Sequence, residues 1–452
     1  TLEGGHTGHF FGTQWGVLGA SRGGPLAAHT FAKNTLWFTE LERRADGSSV
    51  YQYQLKGDHH KYGGWSTSGQ RLLQHCLPRK ALYITGKKAS CIPPFTDAEV
   101  KTIVDAATYH PAGLSVKELM AHLSSWSLVV RQSAAEELGK RDDHLVDELV
   151  AMLDSPNRFA RYGACTALRY CGRESEKAVD KIVARIENDK DISLHFFAVY
   201  ALSPVKARKG GPSYPHSLGS ASSKAVPALL KMAAKQEPIN DPMQKLSGFI
   251  ADLLLGNGLI HEGEGSKVVD RKLLTPAMKS WLANPNGGVR STASKFYKYA
   301  SEKDLETLWP DIYYSTKYAA PSGVMFAGGA RADGLEIIAK NRFKEGIDLS
   351  LDYLYLAGWG KYTRPPAAFN ALSYYGSAMK PYLEEMRTTE YEKALVDGRG
   401  RPKSGRSVNQ VKRAWKKLND NIDKKVELRS IKPFMKGSTI KPPEKIFPKE
   451  SK

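Results

Sequence analysis

Six of the chain's twelve histidines, His6, His9, His29, His59, His60 and His75, fall within its first 75 residues. His6-Thr-Gly-His9 offers two imidazoles to one metal ion or one substrate. A metal site needs further ligands and a second shell. No HExxH, HxxxH or CxxC pattern supplies them. Glycine-flanked histidines also cap helices and bond backbone, so neither a metal nor a cofactor is expected. Nor does any set of residues stand out as catalytic. The four cysteines are too few to staple a fold of this size. Cys165 and Cys171 are six apart on one expected helix and point about 240° apart. Cys76 and Cys91 would pair only after export, and the thiols are expected to be free or mostly buried.

The charge is unevenly spread. Residues 399–452 hold 17 Lys+Arg against 5 Asp+Glu, a net +12, which leaves +7 of the chain's +19 for the first 398 residues. A polyanion partner is therefore a question about the tail, not about the whole chain. Within the tail, Gly398-Arg399-Gly400-Arg401-Pro402-Lys403 resembles an AT-hook. Such a segment lays Arg399 and Arg401, with Lys403 beside them, in the narrow A·T minor groove. The other reading is a solvated polycation.

These residues need elements to hold them. Charged residues are 25% and apolar residues 41% of the chain, the balance of a globular protein rather than a disordered one. No run reaches the ~18 apolar residues of a membrane span. In residues 1–90, Gly23-Gly24-Pro25 starts a helix through Ala28, Phe31, Thr35 and Phe38. Asp46-Gly47-Ser48 makes a turn, and Ser66 caps a helix through Leu72, Leu73, Cys76 and Leu77.

Residues 115–385 repeat. With Arg131, Arg161, His195, Arg290, Arg331 and Arg364 as position zero, position +3 is small: Ala134, Ala164, Ala198, Ala293, Gly334 and Ala367. Position +7 is Leu138, Leu168, Leu202, Tyr297, Ile338 and Ala371. A second helical pattern and a turn follow each unit, as in Asp154-Ser155-Pro156-Asn157. Helix, turn, helix at ~30–45 residues per unit is an α-solenoid. The Arg column has two readings: a basic stripe for phosphates or carboxylates, or helix-start residues that bond carbonyls or an acid such as Asp154. The Gly/Pro/Ser-rich 205–224 segment interrupts the pattern. Residues 91–114 and 386–398 read as linkers. Val408, Val411, Trp415, Leu418 and Ile422 mark one amphipathic helix in the tail, which is expected to be disordered from about Lys432.

The strings MLDSPNRFARYGACTALRYCG and WLANPNGGVRSTASKFYKYA resemble HEAT repeats of the bacterial type, whose units carry an Arg at this position for structural reasons. GGHTGHFFGTQWGVLGASRGGPLAAHTF, with ADGSSVYQ and LYITGKK, resembles the last part of a terpenoid-cyclase-type α/α-toroid. The combination is similar to bacterial proteins of unknown function that join a PDZ domain, such a toroid and HEAT repeats. The resemblance implies export to the periplasm or beyond. No signal segment is visible at Thr1; a toroid of this type needs about a dozen helices and residues 1–90 offer three or four, so the resemblance also implies a fragment lacking its upstream portion. Acidic cyclase motifs and prenyltransferase zinc ligands are absent from residues 1–90. A toroid pocket would draw on Trp15, Arg22, Asp46, His59, His60 and Trp65, beside His6 and His9.

The expected architecture is all-α: a truncated α/α-toroid end, a HEAT-type solenoid and a basic, mostly disordered tail. The expected function is a non-catalytic scaffold that presents its solenoid to a protein or polymer ligand. One alternative is an accessory part of an enzyme whose active site lies in the absent toroid half. The other is a nucleic-acid binder that works through the tail.

Overall fold

A computed structural model describes residues 10–51, 66–89, 93–141, 145–203, 219–235, 241, 244–256, 259–260, 269–321, 324–356, 364–396, 399–438 and 440. Among them there are helices and isolated bridges but no strand. The chain divides into two units, Thr1–His110 and Pro111–Lys452.

The first unit holds α1 (Phe10–Arg22), α2 (Pro25–Leu41), α3 (Ser68–His75) and α4 (Asp97–Ala107). Gly24 sits at φ 101° before Pro25, which occupies the first helical turn where no N–H is needed. A side chain at Gly23 would lie 2.8 Å from the Phe95 ring, so glycine is required for the close approach there. Helix α3 faces the other way from its sequence pattern. Gln70 and Arg71 are buried while Leu72 is exposed, and the N-cap is Thr67 rather than Ser66. The reason is a buried ion pair. Arg71 Nε donates to Glu42 Oε2 at 3.1 Å, and the Thr67 hydroxyl donates to the same oxygen at 3.0 Å. A buried carboxylate without such partners would be costly, so the pair fixes the rotation of α3 more strongly than Leu72 does.

The second unit is a solenoid of helix pairs. They are α5 (Val116–His122) with α6 (Leu128–Leu138), α7 (Val146–Met152) with α8 (Arg158–Tyr170), and α9 (Val179–Asn188) with α10 (Ile192–Leu202). Next come α11 (Val226–Ala234) with α12 (Lys245–Ala251), and α13 (Arg271–Ala283) with α14 (Gly287–Ala293). The last pairs are α15 (Glu302–Lys317) with α16 (Val324–Lys340) and α17 (Glu345–Leu354) with α18 (Arg364–Leu372). The second helices, α6 through α18, pack each on the next in one row. The 95-residue gap in the repeat spacing therefore contains one further pair, α11 and α12, between segments outside the described residues. The 204–218 part of the expected insertion also lies outside them.

The small and apolar columns are the seams of this row. Ala134, Ala164, Ala198 and Ala293 are fully buried, and every +7 residue from Leu138 to Ala371 is buried. Gly163 lies where a side-chain carbon would stand 2.1 Å from the Leu123 carbonyl oxygen, so only glycine permits that crossing. Ser175 is fully buried and donates to Leu168 O at 2.7 Å.

The stretch read as a linker after residue 385 is helical. It contains α19 (Leu383–Met386) and α20 (Glu392–Leu395), joined by a π-helical turn. Then α21 (Arg406–Asn421) packs along α18 and ends the row. It buries Val408, Val411, Ala414 and Leu418, and its Trp415 ring meets Phe369 and Tyr391 at centroid distances of 5.0 and 4.7 Å.

Residues 424–438 after α21 are not a solvated tail, contrary to their composition. They run back over the preceding repeats as a strap. Ser377 N–H donates to Lys424 O at 2.9 Å, beside Gly376 at φ 53°. Arg429 exchanges backbone bonds with Arg342 and Lys344, and its side chain donates to Asn341. Ser430 and Ile431 donate to the Glu345 carboxylate at 2.5 and 3.0 Å. Ser438 Oγ donates to the buried Asp311 at 3.1 Å. Ile431 is buried and Phe434 packs on Phe343. Lysines and prolines suggested disorder, but the apolar residues between them find a surface on the repeats. Residues 441–452 lie outside the described residues.

Candidate ligand-binding surface

The second helices α6, α8, α10 and α14 start the same way. Ser127, Asn157, Asp191 and Asn286 are N-caps whose side chains accept backbone N–H bonds from α6, α8, α10 and α14. Four residues later comes the repeated basic position, and it reaches back to the carbonyl six residues upstream. Arg131 donates to Ser125 O at 2.7 Å and Arg161 to Ser155 O at 2.9 Å. His195 bonds Asp189 O at 2.9 Å, and Arg290 donates to Asn284 O at 2.6 Å. Arg331 sits deeper in its helix and reaches the last carbonyls of α15, Thr316 O at 2.7 Å and Lys317 O at 3.4 Å. Arg364 bonds Leu356 O. These cations hold turns together with their hydrogen-bonding edges. Burial pulls the Arg290 guanidinium down to about 10, which still leaves it charged at neutral pH. Asp154 pairs with Lys181 at 2.6 Å and with Arg185, on α9, rather than with Arg161.

The flat faces of the same region carry a different chemistry. The Arg131 guanidinium lies 5.2 Å from the Phe159 ring centre, 5.8 Å from Tyr162 and 5.9 Å from Phe197. From there the rings continue without a break. Tyr162 stacks on Phe197 at 4.9 Å, Phe197 meets Phe196 at 6.0 Å, and Phe196 stacks on Phe249 at 4.9 Å. Phe249 then meets Tyr200 at 6.0 Å, under the Arg169 guanidinium at 3.8 Å. This aromatic ridge crosses α8, α10 and α12. At its α6 end Trp126, Leu128 and Val129 stand 53%, 55% and 45% exposed, and Phe196 in its middle is 36% exposed. Arg158 and Lys245 are exposed cations on the same helices. Stacked aromatics beside exposed apolar side chains are what binding anchors are made of.

The sequence did not single out the ridge. Its signal was present in Phe196-Phe197 and Phe249 at matched positions of successive second helices, but aromatics at helical spacing also fit a core.

Of the candidate pocket residues of the first unit, Trp15, Arg22 and Asp46 are among the described residues. Trp15 is 51% exposed on α1. Arg22 donates to Lys88 O at 3.3 Å. Asp46 accepts from Ser48 N–H at 2.9 Å and Ser48 Oγ at 2.7 Å, hydrogen bonds that hold its carboxyl below the usual range. His6, His9, His59, His60 and Trp65 lie outside the described residues, as does Cys91. Among the described residues no group of His, Cys, Asp and Glu could hold a metal ion. Cys76 and Cys165 are free thiols, and burial pushes Cys165 up to about 12, where it is unreactive. No helix among the described residues is long and apolar enough to cross a membrane.

The AT-hook-like segment is a turn. Gly400 has φ 76°, Val396 bridges Pro402, and Lys403 N–H donates to Leu395 O at 2.8 Å. Placing Arg399, Arg401 and Lys403 along a minor groove requires that turn to open.

The row of helix pairs and its exposed ridge make this a helical-repeat scaffold. Comparison with known families agrees for part of the chain: residues 116–203 match HEAT repeats. Residues 1–86 match a family described as Domain of unknown function (DUF6288). No curated protein matches the chain.

Proposed function

We propose that the chain is a non-catalytic scaffold whose early repeats hold an extended segment of another protein along the aromatic ridge. The observation that carries this reading is the unbroken series of rings from Phe159 to Tyr200 with exposed apolar neighbours. Aromatic and arginine side chains dominate binding energies at interfaces, the aromatics because they bury much area at little entropic cost. Arg158 and Lys245 favour carboxylates in the ligand. The repeat cations, by contrast, are consumed in holding turns, which argues against a basic stripe along the solenoid.

We further read residues 1–90 as the end of an α/α-toroid. Trp15, Leu36, Trp37, Leu41 and Leu72 support this, because they leave α1, α2 and α3 with exposed apolar surface that neighbouring helices would cover.

Selection of a displayed random-peptide library on the full chain tests the scaffold reading. Selected peptides are expected to carry aromatic or aliphatic anchors with acids. They should lose at least tenfold in affinity on the double variant Leu128→Ser, Phe196→Ser, whose positions are exposed enough to leave folding intact. Peptides that bind both forms equally would contradict it.

A further inference from the structure

The scaffold reading leaves one strongly charged surface unused. Between residues 399 and 425 there are ten Lys+Arg and two Asp. Both acids are already engaged: Asp420 with Lys416 at 2.7 Å and Asp423 with Lys380 at 2.6 Å. Most of this charge sits on or beside α21, and the docking of α21 fixes where it points. Val408, Val411, Ala414 and Leu418 face the repeats. At 100° per residue, Arg406 and Arg413 therefore lie on the opposite face, with Lys412 and Lys416 along one flank and Lys417, whose ammonium lies 4.7 Å from the Tyr374 ring centre, along the other. Arg406, Lys412 and Arg413 are exposed and form no ion pair among the described residues, and the same holds for Lys424 and Lys425 just after the helix. Asn409, Gln410 and Asn419 stand exposed among them and add hydrogen-bonding groups.

We propose that this face of α21 docks on the phosphate backbone of duplex nucleic acid, without reading the bases. Arg406 and Lys417 are eleven residues apart, about 16 Å along a helix. A duplex presents one phosphate per ~1.7 Å of its axis, so about nine phosphates face that length. A helix already anchored by its apolar side does not have to be ordered on binding. The same anchoring disfavours a membrane surface. An interfacial helix inserts its apolar stripe, and here that stripe is buried against the protein while the outward face carries no apolar residue. Phosphate contacts set position rather than sequence, which separates this surface from a minor-groove insertion by Arg399 and Arg401.

The test is fluorescence anisotropy of a labelled ~25-base-pair duplex with the full chain. About five phosphate contacts give a slope near −4.5 for log K against log salt, or about 500-fold between 50 and 200 mM. The triple variant Arg406→Gln, Lys412→Gln, Arg413→Gln is expected to keep its thermal midpoint. It should lose tenfold or more in affinity at ~0.15 M salt and bring the slope to about −2, since each lost contact removes about 0.9. The control triple Lys33→Gln, Lys117→Gln, Lys303→Gln removes the same charge from exposed positions elsewhere and is expected to change affinity less than twofold. Equal losses in the two triples would overturn the proposal in favour of diffuse attraction. So would an A·T preference that Arg399→Ala with Arg401→Ala abolishes. Two competitor results also count against it: binding to phosphatidylserine vesicles where the duplex is not bound, and displacement by polyglutamate of matched charge as readily as by unlabelled duplex.

Discussion

The early repeats, α5 to α10, and the late ones, α13 to α18, are built on one pattern and finished differently. In the early repeats the N-cap, the basic residue four later and the carbonyl six upstream recur in register. Their second helices keep aromatic edges open to solvent. In the late repeats α14 keeps that rule, but Arg331 and Arg364 reach carbonyls 15 and 8 residues away, and a strap lies across α17, α15 and α13. The difference teaches that a repeat may drift from its local rule where a later part of the chain stitches it. It also leaves an open surface at one end, where we propose that a ligand binds, and a clamped surface at the other.

Removing the strap is the most severe way to break this comparison. A chain ending at Asp423 loses the buried Ile431, the Phe434 contact and the bonds to Glu345 and Asp311. A fully buried Ile431 at ~1.5–3 kcal/mol and a half-buried Phe434 at about half that place the loss at about 2–4 kcal/mol. It should appear as a separate, earlier thermal transition of the late repeats by calorimetry. A single transition at the original midpoint would mean that the strap is only draped on the surface.

Overpacking sharpens the early half. Ala164→Leu places extra carbons in a fully buried seam and is expected to cost about 1–3 kcal/mol in urea unfolding. Ala151→Leu, on the exposed side of α7, should stay within about 0.5 kcal/mol. Equal midpoints would place the seam elsewhere.

A smaller effect belongs to pH. Burial raises the Glu345 carboxyl, but the hydrogen bonds from Ser430 and Ile431 outweigh it and hold the group below its ordinary value. Its contribution is therefore complete above the unfolded value of about 4.3 and is lost as pH falls through the lower folded value. Glu345→Gln should lower stability by about 1 kcal/mol at pH 7. The difference from the unaltered chain should shrink below about pH 4. A difference that stays constant down to pH 3 would remove Glu345 from the latch.

Much of this architecture is legible in the sequence. Alanine at +3 and an apolar residue at +7 mark the seam of α6, α8, α10 and α14 because close helix crossings admit little else. Pro25 after Gly24 marks the start of α2. What escapes is long-range. The Arg71–Glu42 pair joins residues 29 apart and turns α3 against its own pattern. The strap reads as a solvated tail because its few apolar residues are spaced by lysine and proline, and only the surface of distant repeats gives them a place. The ridge escapes for another reason: Phe196 and Phe249 fit a core as well as an edge until their exposure is known.

Hydrogen exchange of the full chain against the chain ending at Asp423 tests the division most directly. The account predicts faster exchange confined to α13 through α18, with α5 to α10 unchanged and the ridge peptides still bound. Uniform loss of protection across all repeats, or no loss in α15 and α17, would contradict it.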